Sequence, residues 1–512
     1  MKWLLFAATA VAGLAQTGLD FPMSLASSPS ATPEKQLIAV LSAGAKASIT
    51  TYTAGNMKEV SRVTLDGAWL GLTFAPNGKT LYAGGGSRGS IYEFSVSPQG
   101  ELKQTHAWKA SDFIGDIALS PDGHLIYAAD VFKNVIVVVN PQSGRVIDQF
   151  KTGRRPYRIV FHPDGKSYFV SSWADATVYQ YNVANGEEIG RLRLAQHPTD
   201  MVISGYRPSI EEGQTPLPWR YRLFVAAANT NNVFAIGINE NKTMRHVDTL
   251  SVAPAALTPL GMTPSALALT ADQKRLYVAC SDANAVAVFD VSDVRAAGEA
   301  LVETGAYPIA ILALGKDRAV VASARANSLT VLGLESAKDW AAPPEAMAPA
   351  QPAEHVIYIV KSAPPAETMH ALAGFIPDFT VKLAREKTFD IADPGNLPPA
   401  GYLWTNALSA GISVYSYGVF ERGGKALDPA LAPYAKPPAA FLEDLKMFDA
   451  DGKMPRLILI QTDDATNVRE AIGKTRFRTS TQVVESDPHR ARALLGLRPT
   501  TLHDAVGDGA AK

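Results

Sequence analysis

Cysteine is nearly absent, with Cys280 the single one in 512 residues. One thiol closes no internal disulfide and builds no zinc cluster alone. Its setting, "RLYVACSDANAV", has strand character, so Cys280 is expected as a small buried apolar residue. Charge is scarce too, at 19% of residues with a formal net charge of −1. No overall field favours nucleic acid or an anionic membrane surface, and no nucleic-acid partner is expected. Beyond the N-terminus no apolar run is long enough for a membrane span. The nine histidines are scattered, with no pair at the helical spacing of a zinc enzyme. No Gly-rich phosphate loop runs into Lys-Ser/Thr, and no Gly-x-Ser-x-Gly elbow occurs.

Hydrophobic residues make up 47% of the chain, and the length allows two or three domains. The first residues, "MKWLLFAATAVAGLAQ", combine Lys2, a short apolar run and small residues at Gly13-Leu14-Ala15. This pattern reads as a secretory signal over residues 1–15, which implies a periplasmic or extracellular protein.

One phrase recurs: "LTFAPNGKTLYAGG" from Leu72, "IALSPDGHLIYAAD" from Ile117, "IVFHPDGKSYFVSS" from Ile159 and "LALTADQKRLYVAC" from Leu267. A weaker copy starts at Ala310, and another is split between Met201 and Arg220 by the insertion "YRPSIEEGQTPLPWRYR", which suits a lid or a docking surface. Each phrase is a strand, a turn such as Pro-Asp-Gly, and a second strand. The turn residues supply local hydrogen bonds and positive φ. Third strands such as "NVIVVVNP" and fourth strands such as "RVIDQF" follow. A period of about 42–45 residues holding four short strands is the size of a propeller blade. Counting second strands gives seven. The fold expected is therefore mainly β: a seven-bladed β-propeller over residues 34–335, followed by a smaller α/β domain. The first unit has no clear opening strand and the last no clear fourth. Those deficits predict a shared blade that joins the chain ends and removes open edges.

"LYVACSDANAVAVFDVS" and "IYAADVFKNVIVVVNPQSG" resemble the YVTN-type β-propeller repeat, across the whole propeller. Exported propellers of this kind are similar to lactonase-like propellers. No motif here carries lactonase chemistry across.

The loops entering the innermost strands converge on one mouth of the channel. They carry Trp69, Asp116, Arg154, Arg155, Tyr157, Arg158, His197, Asp200 and Tyr307. Arginines and aromatics suit a small anionic or planar ligand, or a protein partner. The plainer alternative is that they shape and solvate the loops.

An Ala/Pro-rich linker over residues 336–353 separates the second domain. There "HVIYIV" and "RLILIQ" read as strands, and "YLWTNALSAGI", "FIPDFTVKLARE" and "PPAAFLEDLKMFD" as helices, which points to an α/β layer. "HVIYIVKSAPP", "PPAGYLWTNALSAGISVYSYGVF", "FLEDLKMFDADGKMPRLILIQTDDATN" and "ALLGLRPTTLHDA" resemble, in that order, the metal-dependent phosphoesterase family of bacterial acid phosphatases and phospholipases C. The resemblance covers residues 354–506 and implies an alkaline-phosphatase-like domain that lacks part of its core. Such enzymes hold two divalent ions beside a hydroxyl nucleophile. Here the family's Glu-Asn pair falls on Ser362 and Ala363, and the segment between Glu386 and Gly401 is too short to carry the nucleophile. Asp464, Glu485 and Asp487 are what remains of the ligands, with His489 a looser remnant. The resemblance thus implies no catalytic residue and no resident cofactor, with a weakly held divalent metal as the alternative. Two functions stay open: an exported binding or scaffolding protein with an inactive phosphoesterase-like domain (a pseudoenzyme), or a hydrolase, lactonase-like at the channel or with a rebuilt phosphoesterase site.

Overall fold

A computed structural model describes residues 18–30, 32–209, 217, 219–228, 230–254, 258, 260–333, 352–360, 401–419, 421–422, 425–426, 428–485 and 488–497. The described chain divides into two compact units. In the first, six four-stranded antiparallel sheets and one three-stranded sheet follow one another in sequence. These are blades 1 to 7. In each, strands pair in chain order. The first strands neighbour one another around the ring, and the first strand of blade 7 (Pro308–Leu314) meets that of blade 1 (Pro22–Ser27).

The local causes repeat with the period. In the turns between first and second strands, Gly78, Gly123 and Gly165 take φ of 66°, 75° and 69°. Just before them Asn77, Asp122 and Asp164 accept backbone amides two residues on, at 2.8–3.0 Å. Between blades, aromatic and β-branched residues interlock. Tyr127, Ile136 and Val138 of blade 3 pack on Ile159, Tyr168 and Val170 of blade 4. Every four-stranded blade carries a register shift between its third and fourth strands. A bulge there twists the outer strand and blunts its open edge against pairing with another chain.

Ring closure differs from the expectation of a shared blade. Blade 1 opens on its own strand, Pro22–Ser27, ahead of residue 34, and is complete. Blade 7 shows three strands among the described residues. The seam is made as the other junctions are. Asn134, Asn231, Asn284 and Asn327 each accept, through Oδ1, a backbone amide of the next blade: those of Arg155, Met262, Tyr307 and Phe21 at 2.8–3.1 Å. Arg155, Tyr307 and Phe21 stand just before a proline with φ of 52°, 61° and 55°. The Phe21–Asn327 bond, across 306 residues, joins the last blade to the first.

In the second unit, a five-stranded parallel sheet runs in the order Ala435–Lys436, Val414–Tyr417, Leu457–Gln461, His355–Val360, Thr481–Glu485. Helices Leu403–Ser409, Phe441–Asp451, Ala465–Gly473 and Pro488–Leu495 accompany it. Ile357, Ile359, Ile458 and Ile460 meet Phe441 and Leu445 in one core. The central strands are continuous apolar runs, as strands covered on both faces require. The signal segment over residues 1–15, linker residues 336–351, residues 361–400 with Ser362 and Ala363, and Asp487 lie outside the described residues.

Candidate functional site at the loop face of the propeller

The predicted mouth residues fall into separate groups. The innermost is ionic. Asp116 of blade 3, Arg158 of blade 4 and Asp200 of blade 5 all stand near the start of a first strand. Arg158 Nη1 donates to Asp116 Oδ1 at 3.1 Å, and its Nε lies 2.9 Å from Asp200 Oδ1. The second oxygens are also committed. Asp116 Oδ2 accepts the amide of Ile159 at 2.9 Å, and Asp200 Oδ2 that of Leu267 at 2.8 Å. Each carboxylate therefore ties its own blade to the next.

Asp116 is 1% exposed. Burial pushes its carboxyl above the ordinary carboxylate range, against the opposing pull of Arg158 and the Ile159 amide. Burial also works against the charge on Arg158, but the two carboxylates overcome it and hold the guanidinium pKa above its usual value. Arg158 is thus saturated by protein acids, and the group carries one net negative charge. It is a poor anchor for an anion.

The second group is aromatic and crosses blades 2 to 5. The Trp69 ring meets Tyr157 edge-on at 5.9 Å and Phe113 at 5.3 Å. Gly115 permits this, since a Cβ there would lie 2.9 Å from the indole. Phe113 in turn meets Phe132 at 5.0 Å. The Arg155 guanidinium lies 5.7 Å from the Phe132 ring centre and 5.9 Å from that of Trp173. His197 stacks on Trp173 at 3.8 Å. Trp69, Tyr157, Trp173, Arg155 and His197 are buried, while Phe132 is 38% exposed. Beside it Lys133 pairs with Asp112 at 3.0 Å.

Two predicted residues stand apart. Arg154 turns to Asp175, with Nε 2.7 Å from Oδ1. Tyr307 is buried, with Arg325 4.6 Å from its ring centre. Phe113, Phe132 and Trp173 were not among the expected residues. Phe132 and Trp173 sit in the turns between second and third strands, which reach the same face as the entry loops. Apolar residues in those turns, in "VFK" and "WAD", were the available signal.

Of the acids expected in the second unit, Asp464 caps the helix Ala465–Gly473, its Oδ1 accepting the Asn467 amide at 2.9 Å. Glu485 pairs with Arg469 Nη2 at 2.6 Å. Both contacts are ordinary structural ones. Among the described residues no three His, Cys, Asp or Glu side chains converge to hold a metal. Cys280 is fully buried, and burial pushes its thiol up to about 12, so it is no nucleophile at neutral pH.

Residues 111–350 match the family model of the YNCE-like beta-propeller. No curated protein matches the chain. Among solved structures the chain is similar to the hydrazine synthase of Kuenenia stuttgartiensis, at 18% identity and a TM-score of 0.50, over 64% of this chain and 99% of that one. It is also similar to the periplasmic gluconolactonase of Pseudomonas aeruginosa, at 18% identity and a TM-score of 0.45, over 56% of this chain and 86% of that one. At such identity the first likeness is one of fold. The first unit is a seven-bladed β-propeller, similar to the YNCE-like family over the matched residues.

Proposed function

We propose that the protein is an exported binding or scaffolding propeller that holds a protein partner at its loop face. The observation that carries this reading is Phe132. It is a solvent-facing ring backed by Phe113 and Arg155 and flanked by the Lys133–Asp112 pair. A rigidly supported aromatic with a charged rim is the usual make-up of an interface hot spot. The arginines that would have favoured a small anion bear on this choice. Arg154 and Arg158 are already neutralised by protein carboxylates.

In this reading the second unit, by its resemblance to phosphoesterases, is a domain without a working two-metal site. The roles of Asp464 as a helix cap and Glu485 as an ion-pair partner support that view.

A photo-crosslinking residue placed at position 132 tests the binding role, with position 77, in a turn between first and second strands, as control. In an exported fraction, one defined protein adduct is expected from 132 and none from 77. Equal adducts at both positions, or none at either, would overturn it. Aryl phosphate and lactone substrates, assayed with added Mn²⁺, Ca²⁺ or Zn²⁺, test the hydrolase alternative. Turnover that disappears in Asp464→Ala would replace the binding role for the second unit.

A further inference from the structure

Away from the mouth, blade 4 carries a cleft of 320 Å³ on its outer flank, facing the end of the outer strand of blade 3. That volume is at the lower end of the range for small-molecule sites. Tyr179 and Tyr181 stand on alternate positions of one strand, their rings 6.1 Å apart and 20° from parallel; Tyr179 is half-buried and lines the cleft, while Tyr181 is buried behind it against Tyr168. Gly153 is needed where it stands, since a Cβ would come within 2.3 Å of the Tyr179 ring.

The polar groups of the cleft occur as closed pairs. Arg154 meets Asp175 at 2.7 Å, and Arg191 meets Glu188 at 2.6 Å while its guanidinium lies 5.1 Å from the Tyr179 ring centre. The Tyr181 hydroxyl donates to Thr152 Oγ1 at 2.9 Å. Lys151 is different: its ammonium has no partner among the described residues, and it leaves the cleft with one surplus positive charge, three cations against two carboxylates.

From this geometry we propose that the cleft binds an acidic saccharide, a hexuronate unit or a short chain of them. Two fixed ion pairs offer donors and acceptors side by side, which suits a ligand rich in hydroxyls. The Tyr179 ring packs against the C–H face of a pyranose while its hydroxyl stays bonded to Asp175 Oδ2 at 3.3 Å. Lys151 takes the carboxylate. A neutral sugar leaves that charge unanswered, and a simple anion leaves the Tyr179 ring and the ion pairs unused. The cleft shares Arg154 with the predicted mouth set but none of the Phe132 platform, so it stands or falls independently of the binding role above.

Titration calorimetry of the full chain with digalacturonate, and with a neutral disaccharide for comparison, tests it. Saturable binding of digalacturonate is expected, with a Kd of about 1 mM or tighter. Lys151→Gln, at an exposed position that leaves the fold intact, is expected to weaken it about tenfold. Tyr179→Ala, with its melting curve checked, is expected to abolish it. Three outcomes would overturn the proposal: no saturation with digalacturonate, equal affinity for the neutral disaccharide, or unchanged affinity in Lys151→Gln.

Discussion

Blades 3 to 5 and blades 6 to 7 solve the same geometric problem with different chemistry. At the third residue of the first strand, the former carry Asp116, Arg158 and Asp200, while the latter carry Ala266 and Ala310. Both sectors share the Asn staple, the strand pairing and the buried aromatic or aliphatic layers between blades. The charged trio is therefore not what the propeller needs in order to form. It marks one sector of the ring, and the aromatic path from Trp69 to His197 lies over the same sector. Charged and aromatic side chains are concentrated in that sector.

The largest way to break the comparison is Arg158→Met. It leaves Asp116 and Asp200 facing each other without their cation, one of them fully buried. A loss of about 3–5 kcal/mol is expected in urea unfolding. The triple variant Asp116→Asn, Arg158→Met and Asp200→Asn makes the sector uncharged like blades 6 and 7 while keeping acceptors for the Ile159 and Leu267 amides. It should lose less than the single change. A larger loss would mean that the charges hold the sector together.

Next come the staples common to both sectors. Asn284→Ala and Asn327→Ala should each cost about 1–2 kcal/mol, the worth of a hydrogen bond plus an amide left unmet. Equal losses would show that the seam between blades 7 and 1 is an ordinary junction. A much greater loss for Asn327→Ala would identify the seam as the point where unfolding begins.

Gln273 sharpens the contrast at the opposite face. It holds a φ of 57° where the turns of blades 2 to 4 have glycine. Its Oε1 accepts from Ser204 Oγ and from the amides of Gly205 and Tyr206, so it links blade 6 to blade 5. Gln273→Gly removes the backbone strain but also these bonds, and a net loss of about 1 kcal/mol is expected in denaturant melts. Gln273→Ala should lose more, because it keeps the strain.

The smallest effect is one of pH. Burial opposes the charge of Asp164, but the Lys166 amide, Lys242 and His162 hold its carboxyl down at about 2. A depressed acid stabilises the fold above its unfolded pKa, and that contribution fades as pH falls from 3.8 towards 2. Thermal melts of Asp164→Asn should show a shallower pH dependence than the parent across that window. Identical slopes would remove Asp164 from the account.

Much of the propeller was legible because its signals are local and periodic. The Asn-Gly and Asp-Gly turns, the alternating strands and the Asn in the following turns of blades 3, 5, 6 and 7 lie within one repeat. The opening strand at Pro22 was missed, though Phe21-Pro22 matches Arg155-Pro156, His197-Pro198, Thr263-Pro264 and Tyr307-Pro308. It lies close to the apolar N-terminus and lacks the long alternation of its counterparts. At the loop face, the entry loops were legible, but the division of their residues into separate groups was not. Arg154 and Arg158 are four residues apart and have unrelated partners, Asp175 on one side and the Asp116–Asp200 pair on the other. Phe132 and Trp173 escaped notice because nothing within one repeat says that the turns between second and third strands share a face with the entry loops.

By itself the sequence determined seven repeats, the turns that bend them and the apolar faces that stack them, because each depends on residues close together in the chain. Tertiary structure alone decided which charges neutralise one another, which ring stays in solvent and how the circle closes. Asp116 meets Arg158 across 42 residues and Phe21 meets Asn327 across 306. Such pairs form only when successive blades, packed at a fixed angle, bring first strands side by side and return the last blade to the first.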